Sequence, residues 1–228
     1  TDMLKITKHM PQMPITMGSK RKGNFPGFIP KTDEVRIQSV PDVLTRHHGK
    51  LCYITEKLDG SSHTIFIKDG KFNVCSRRVN YEESDNNLYW QVARFHNIEE
   101  KISKFGFNAA IQGEIIGTKI QGNRYKREKH ELYVFNVYNI DEGRYLDYVP
   151  MVNLLSEYEI KSVPTLLYKF NLPDNVEDIE AWATGKSKLN SETEREGIVV
   201  RAIEEDWDEE TGRLSFKCLS PHYLIKYD

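Results

Sequence analysis

Apolar and polar residues alternate over Glu131-Leu132-Tyr133-Val134-Phe135-Asn136-Val137-Tyr138. This pattern predicts a strand with Tyr133, Phe135 and Val137 on one face and Val134, Asn136 and Tyr138 on the other. Strand-like runs also cover residues 51–57, 62–67, 72–75, 108–117, 164–168, 194–201 and 214–219. Asp69-Gly70 joins the second and third of these, the signal of a two-residue type I′ hairpin. By contrast, Leu88, Val92, Phe95, Ile98 and Ile102 recur every three or four residues, which predicts one amphipathic helix over 84–105 with Ser84 as its N-cap. Its aromatic residues Tyr89, Trp90 and Phe95 read as core. Shorter helices are expected at 40–44, after the turn Asp141-Glu142-Gly143 with Pro150 in the first turn, and near 176–183. Residues 17–27 are irregular, basic and rich in Pro and Gly, the pattern of a loop or linker. An N-terminal segment 1–24 and a domain over 25–228 are therefore expected, with no internal repeats.

Composition narrows the functional classes. The chain has 228 residues, 39% of them apolar, enough for one large core or two small ones. A net charge of −2 provides no global attraction for nucleic acid or an anionic membrane, so any such partner must meet a local patch. Cys52, Cys75 and Cys218 lie in apolar, strand-like surroundings and read as reduced core thiols of an intracellular protein, cytoplasmic or nuclear. No Cys-x-x-Cys or His-x-x-x-His spacing points to zinc. With no long apolar run, the chain is expected to be soluble and without a membrane partner. It starts at Thr1, as an excised piece would.

Candidate chemistry centres on Glu56-Lys57-Leu58-Asp59-Gly60. If the strand continues through it, Lys57 and Asp59 point into one pocket. A neutral lysine amine is a nucleophile suited to phosphorus, a nearby carboxylate can hold a metal or its water, and Gly60 lets backbone approach a phosphate. The tetrapeptide alone is a weak signal, since Lys68-Asp69-Gly70-Lys71 is only a hairpin. Glu114 sits inside the apolar run 108–117, where a carboxylate needs an ion-pair partner, hydrogen bonds or a ligand. Glu196 precedes a similar run. Arg77 and Arg78 follow a strand end, as surface charges or as anion ligands. The segment 119–130 carries Lys119, Arg124, Lys126, Arg127, Lys129 and His130 around Tyr125, either a solvated loop or a surface for a phosphate backbone. Residues 204–210, nearly all acidic around Trp207, read as an exposed hairpin tip. Thr184-Gly185-Lys186-Ser187 imitates the end of a P-loop, but Glu180 stands where that motif needs Gly and a helix is expected before it.

Taken together, Glu56-Lys57-Leu58-Asp59-Gly60, Ser76-Arg77, Gln112-Gly113-Glu114, Tyr133-Val134-Phe135, Glu196-Gly197-Ile198-Val199-Val200-Arg201 and Phe216-Lys217 resemble, in order, motifs I, Ia, III, IIIa, IV and V of the covalent nucleotidyltransferases. That superfamily holds polynucleotide ligases and mRNA capping enzymes. Ile29-Pro30-Lys31-Thr32-Asp33-Glu34 and Gly117-Thr118-Lys119-Ile120-Gln121-Gly122-Asn123 make the chain most similar to ATP-dependent RNA ligases of the nick-sealing kind, over residues 25–227.

The resemblance implies an α+β fold of two twisted, mainly antiparallel sheets with flanking helices and ATP between them. It also implies three steps: Lys57 forms a lysyl-AMP phosphoramidate, AMP passes to an RNA 5′-phosphate, and a 3′-hydroxyl displaces AMP. In this scheme Asp59, Glu114 and Glu196 position Mg²⁺ or Mn²⁺, and Lys217 sits on the α-phosphate. Phe135 stacks on adenine, while Glu56, Arg77 and Glu114 contact the nucleotide. From the basic segment, Arg124, Lys126 and Arg127 are the candidate RNA contacts. A monomer acting on RNA ends, in a nicked duplex, is the expectation. A DNA ligase, a GTP-using capping enzyme and a non-catalytic RNA-binding module are the alternatives. Two departures stand out. Ser215 occupies the position where many relatives have a first lysine, leaving Arg213 or Lys226 to replace it, and no OB-fold domain follows Lys217.

Overall fold

The computed structural model describes residues 19–227, so most of the segment 1–24 lies outside the described residues. Its last part is not a linker, because Arg21–Asn24 forms an exposed edge strand, β1. In chain order follow β2 (Val35–Arg36), α1 (Asp42–Arg46), β3 (Leu51–Lys57), β4 (Ser61–Lys68), β5 (Lys71–Ser76), β6 (Val79–Tyr81), α2 (Leu88–Phe95), α3 (Ile98–Ser103), β7 (Ala109–Ile116), β8 (Glu131–Asn139) and β9 (Arg144–Tyr145). The remainder comprises α4 (Tyr148–Glu157), β10 (Thr165–Asn171), α5 (Val176–Ala183), β11 (Gly197–Ala202), β12 (Trp207–Asp208), β13 (Gly212–Arg213), β14 (Ser215–Leu219) and α6 (Pro221–Tyr227).

These elements build the expected α+β architecture in four layers. A seven-stranded antiparallel sheet has the order β1-β6-β5-β4-β7-β8-β9, and a five-stranded sheet the order β10-β3-β11-β14-β2, with only β14 and β2 parallel. Each sheet buries its outer face under helices. Ile65, Val74, Ile111, Ile115, Val134 and Val137 of the larger sheet pack against α2, α3 and α4. On the smaller sheet, Ile54, Ile198, Val200 and Phe216 pack against α1 and α5 through Val43, Leu44, Ile179 and Ala183. The inner faces carry the polar residues and enclose a cleft. The cysteines are buried free thiols. Among the described residues no helix is long and apolar enough to cross a membrane.

Three departures from the sequence pattern have local causes. The predicted helix over 84–105 is two helices, broken where Asn97 adopts the left-handed conformation (φ 52°) that Asn tolerates better than most residues. Asn87, not Ser84, caps α2, accepting the N–H groups of Tyr89 and Trp90. In β8, Gln112 of β7 pairs with Asn136 and the next residue, Gly113, pairs with Val134, so Phe135 is an extra, bulged residue. The alternation therefore reverses there: Leu132, Val134 and Val137 all reach the outer core, while Tyr133 and Phe135 face inward. Asp69 and Gly70 both have positive φ (50° and 70°), as the type I′ turn requires.

Candidate active site

The cleft between the sheets has a volume of ≈ 510 Å³. Strand β3 brings Lys57 to it, with Lys57 paired to Gly197 and Thr55 paired to Val199 of β11. Val199 in turn pairs with Lys217 of β14, so two lysines from distant parts of the chain line one cleft from either side of β11. Burial first, and then the neighbouring Lys57 and Arg36 charges, push the Lys217 ammonium below the ordinary lysine range.

Lys57 Nζ donates a hydrogen bond to Glu196 Oε1. The other oxygen, Oε2, is buried without a partner, and burial raises the carboxyl despite the Lys57 charge. Across the cleft, Glu114 on β7 pairs with Ser62 of β4. Burial pushes its pKa up to about 8, against the pull of Lys57 and with added repulsion from Glu196 and Asp59. Two carboxyls that resist ionisation and one oxygen without a partner are a donor set suited to a cation.

Asp59 departs from the sequence reading. Strand β3 ends at Lys57, so the alternation that would aim Asp59 into the cleft does not reach it. Its Oδ2 instead accepts hydrogen bonds from Arg124 Nη1 at 3.0 Å and from the Tyr223 hydroxyl of α6. Its N–H donates to the Tyr125 hydroxyl at 2.7 Å. Among the described residues no three His, Cys, Asp or Glu side chains converge to hold a metal.

The other candidates are distributed as follows. Phe135 reaches the cleft because of its bulge, with the Arg201 guanidinium 5.7 Å from its ring centre. Arg77 lies at the exposed mouth, paired with Asp33. Glu56 contributes to the cleft wall, yet its Oε2 accepts the Lys188 N–H at 2.8 Å while Oε1 is buried without a partner. Of the three candidate RNA contacts in the basic segment, two are half-buried and bonded within the protein. Arg124 is taken by Asp59, and Arg127 donates to the Leu189 carbonyl at 3.2 Å. Lys126 alone of the three is exposed, paired with Glu192. Neither proposed replacement for the second lysine is in the cleft: Arg213 binds Glu205 and Asn136, and Lys226 lies beside Tyr227.

Sequence reasoning missed Glu34 and Arg201. Arg201 pairs with Ser215 and is 2% exposed, its guanidinium bound to Glu34 at 2.9 Å with Nε and Nη1 buried and unpartnered. Although burial pushes Glu34 up, Arg201 and Arg213 hold it below the usual carboxylate range. The signal was present: Arg201 shares the inward face of β11 with Val199, a charge within an apolar run, the reasoning that found Glu114.

The arrangement unites an amine nucleophile, a second cation, an aromatic wall and two acids with cation-binding capacity, a combination suited to attack on a phosphoryl group. The chain is 35% identical to Naegleria gruberi RNA ligase with PPi, with a TM-score of 0.87 over 99% of this chain and 66% of that one. A lysine-to-alanine mutant of that enzyme with ATP and Mn and a lysine-to-methionine mutant with AMP and Mn each give a TM-score of 0.86 at 35% identity, with the same coverage of both chains. The chain thus spans 66% of the length of these structures. No curated protein sequence matches it. A model of the RNA ligase family matches residues 50–219, three-quarters of the sequence, and the chain belongs to that family.

Proposed function

We propose that this chain is the adenylylating part of an ATP-dependent RNA ligase. The observation that carries the reading is the Lys57 amine, paired with Glu196 and flanked by Lys217 and Glu114 in one cleft. Membership of the RNA ligase family and the ATP and AMP held by similar structures support the choice of nucleotide.

In the first step the Lys57 nitrogen bonds to the α-phosphorus of ATP and the bond to pyrophosphate breaks, leaving lysyl-AMP. The residues fit a divalent cation, which Glu196 Oε2 and the Glu114 carboxyl would hold. Such a cation supplies charge that neutralises the triphosphate and disfavours an ammonium beside it. Lys217, which lines the same cleft as Lys57, is suited to balance charge growing on the α-phosphate oxygens. Phe135 and Val199 offer apolar walls for the base.

The acceptor is the 5′-phosphate of an RNA strand, which Arg77 and Arg78 at the cleft mouth are suited to meet, and a 3′-hydroxyl then displaces AMP. Incubating the chain with each α-labelled nucleoside triphosphate tests the reading. ATP alone should transfer label to protein, and Lys57→Ala should abolish the transfer. Labelling that persists in the variant, or that prefers GTP, defeats the proposal. Comparing nicked duplex with free single strands then tests the substrate.

A further inference from the structure

Arg124 belongs to a structure that neither the motifs nor the family match accounts for. Its guanidinium lies 4.3 Å from the ring centre of Tyr227 and 5.3 Å from that of Tyr223, both on α6. Cation–π contacts of this kind orient the fork as well as hold it. Nη1 donates to both Asp59 Oδ2 and the Gln121 carbonyl, at 3.0 and 2.8 Å. The Arg124 carbonyl accepts from Asn190 Nδ2 at 2.8 Å, and the Tyr227 hydroxyl bonds with that of Thr193 at 3.1 Å. Three separate parts of the chain thus meet at the Asp59 carboxylate, the turn after β3, the loop after β7 and α6, and the loop before β11 braces the last two.

The opposite side of that turn is packed closely against β7. A Cβ added at Gly60 would lie 2.3 Å from the Ile115 carbonyl and 2.8 Å from Glu114 Cγ, so the turn is already pressed against β7. On its Asp59 side Arg124, Tyr125 and Tyr223 bind it. Lys57, two residues before Asp59, is the last residue of β3, where this turn begins.

We propose that Arg124, stacked on Tyr223 and Tyr227, is a positioning residue for the nucleophile rather than an RNA contact, and that α6 is the lock that holds it. Through Asp59 it fixes the Lys57–Gly60 turn against β7 and thereby the line of approach of the Lys57 amine. The consequence for catalysis rests on the proposed lysine adenylylation. Misplacing a nucleophile by about 1 Å can cost on the order of 100-fold in rate without weakening substrate binding.

The test uses single-turnover labelling of Lys57 over a range of ATP concentrations, with hydrogen exchange of peptides spanning 57–62 measured in the same proteins. Tyr223→Phe removes one oxygen and keeps the stack, so it should fold. Arg124→Ala removes the guanidinium and its stack, leaving Tyr223 and Tyr125 as the remaining partners of Asp59. Tyr223→Phe should slow labelling at saturating ATP roughly tenfold and Arg124→Ala roughly 100-fold, with half-saturating ATP changed less than about twofold. Both should speed exchange at 57–62 while RNA affinity and its salt dependence remain at wild-type values. Labelling at the wild-type rate in both variants overturns the inference, as does a loss of RNA affinity in Arg124→Ala with labelling intact. If the wild type takes no label from any nucleotide, the adenylylation reading fails separately, and unchanged exchange at 57–62 in both variants then refutes the clamp.

Discussion

His63 has neither ring nitrogen hydrogen-bonded, although the side chain is fully buried beside Tyr89 at a ring separation of 5.2 Å. Burial first, then the His96 charge, pushes its pKa down to about 3 from 6.5. The folded state therefore holds a neutral imidazole, and stability present above pH 6.5 is lost as pH falls toward 3, because only the unfolded chain accepts the proton readily. Between pH 7.5 and 5 the wild type should lose about 2 kcal/mol more than His63→Leu, a difference that urea unfolding at the two pH values would measure. Parallel losses would show that the ring protonates in place. Nothing in the sequence separates His63 from a solvated histidine, since the alternating pattern of β4 gives no partner for it. Asp59 teaches the related lesson, because facing was inferred by alternation past the point where β3 ends. Lys57, Glu114 and Lys217 were legible because each lies within a strand whose period holds.

At the level of elements, strands and their order of appearance could be read from periodicity, whereas irregularities could not. The bulge at Phe135 arises from pairing with β7, a partner 20 or more residues away in sequence, so no window within β8 reveals it. The hairpin of β12 and β13 was expected to be a solvated acidic tip, and Trp207 is indeed exposed. Asp208 is not: its side chain is 1% exposed and anchors the hairpin to the end of α1. Oδ2 accepts from Arg46 Nε at 2.9 Å and bonds His47 Nε2 at 3.0 Å, while Oδ1 accepts the N–H groups of Glu210 and Thr211. The Arg46 hydrogen bond is the main reason its carboxyl is held well below the usual carboxylate range. Asp208→Ala should cost about 2–3 kcal/mol, as loss of a buried, multiply bonded carboxylate does. Asp208→Asn, which keeps the turn acceptor, should cost less. Equal midpoints for all three proteins in urea would return the hairpin to the status of a free tip.

For the whole molecule, the cleft depends on two sheets held at a fixed separation, and Arg213 is the principal side chain that bridges them. It leaves β13 beside the smaller sheet, donates to Asn136 on β8 at 2.9 Å and lies 3.9 Å from the Tyr145 ring centre on β9. Glu205 anchors the other side of its fork at 2.7 Å. Asn136 and Tyr145 both donate to Gln112 Oε1, and Gln112 Nε2 donates to the Pro30 carbonyl at 2.7 Å, so the bridge also ties in the segment before β2. The family resemblance left Arg213 or Lys226 to replace the lysine missing at Ser215, but position in the sequence cannot tell a cation aimed at a ligand from one aimed across a sheet interface. Arg213→Met should cost about 3 kcal/mol by leaving Glu205 buried without its partner. Because the sheets would then separate more easily, the concentration of ATP needed to half-saturate Lys57 labelling should rise several-fold, with the rate at saturation reduced less. A variant that loses saturating rate but keeps its ATP dependence would instead place Arg213 among the groups that stabilise the reacting phosphate.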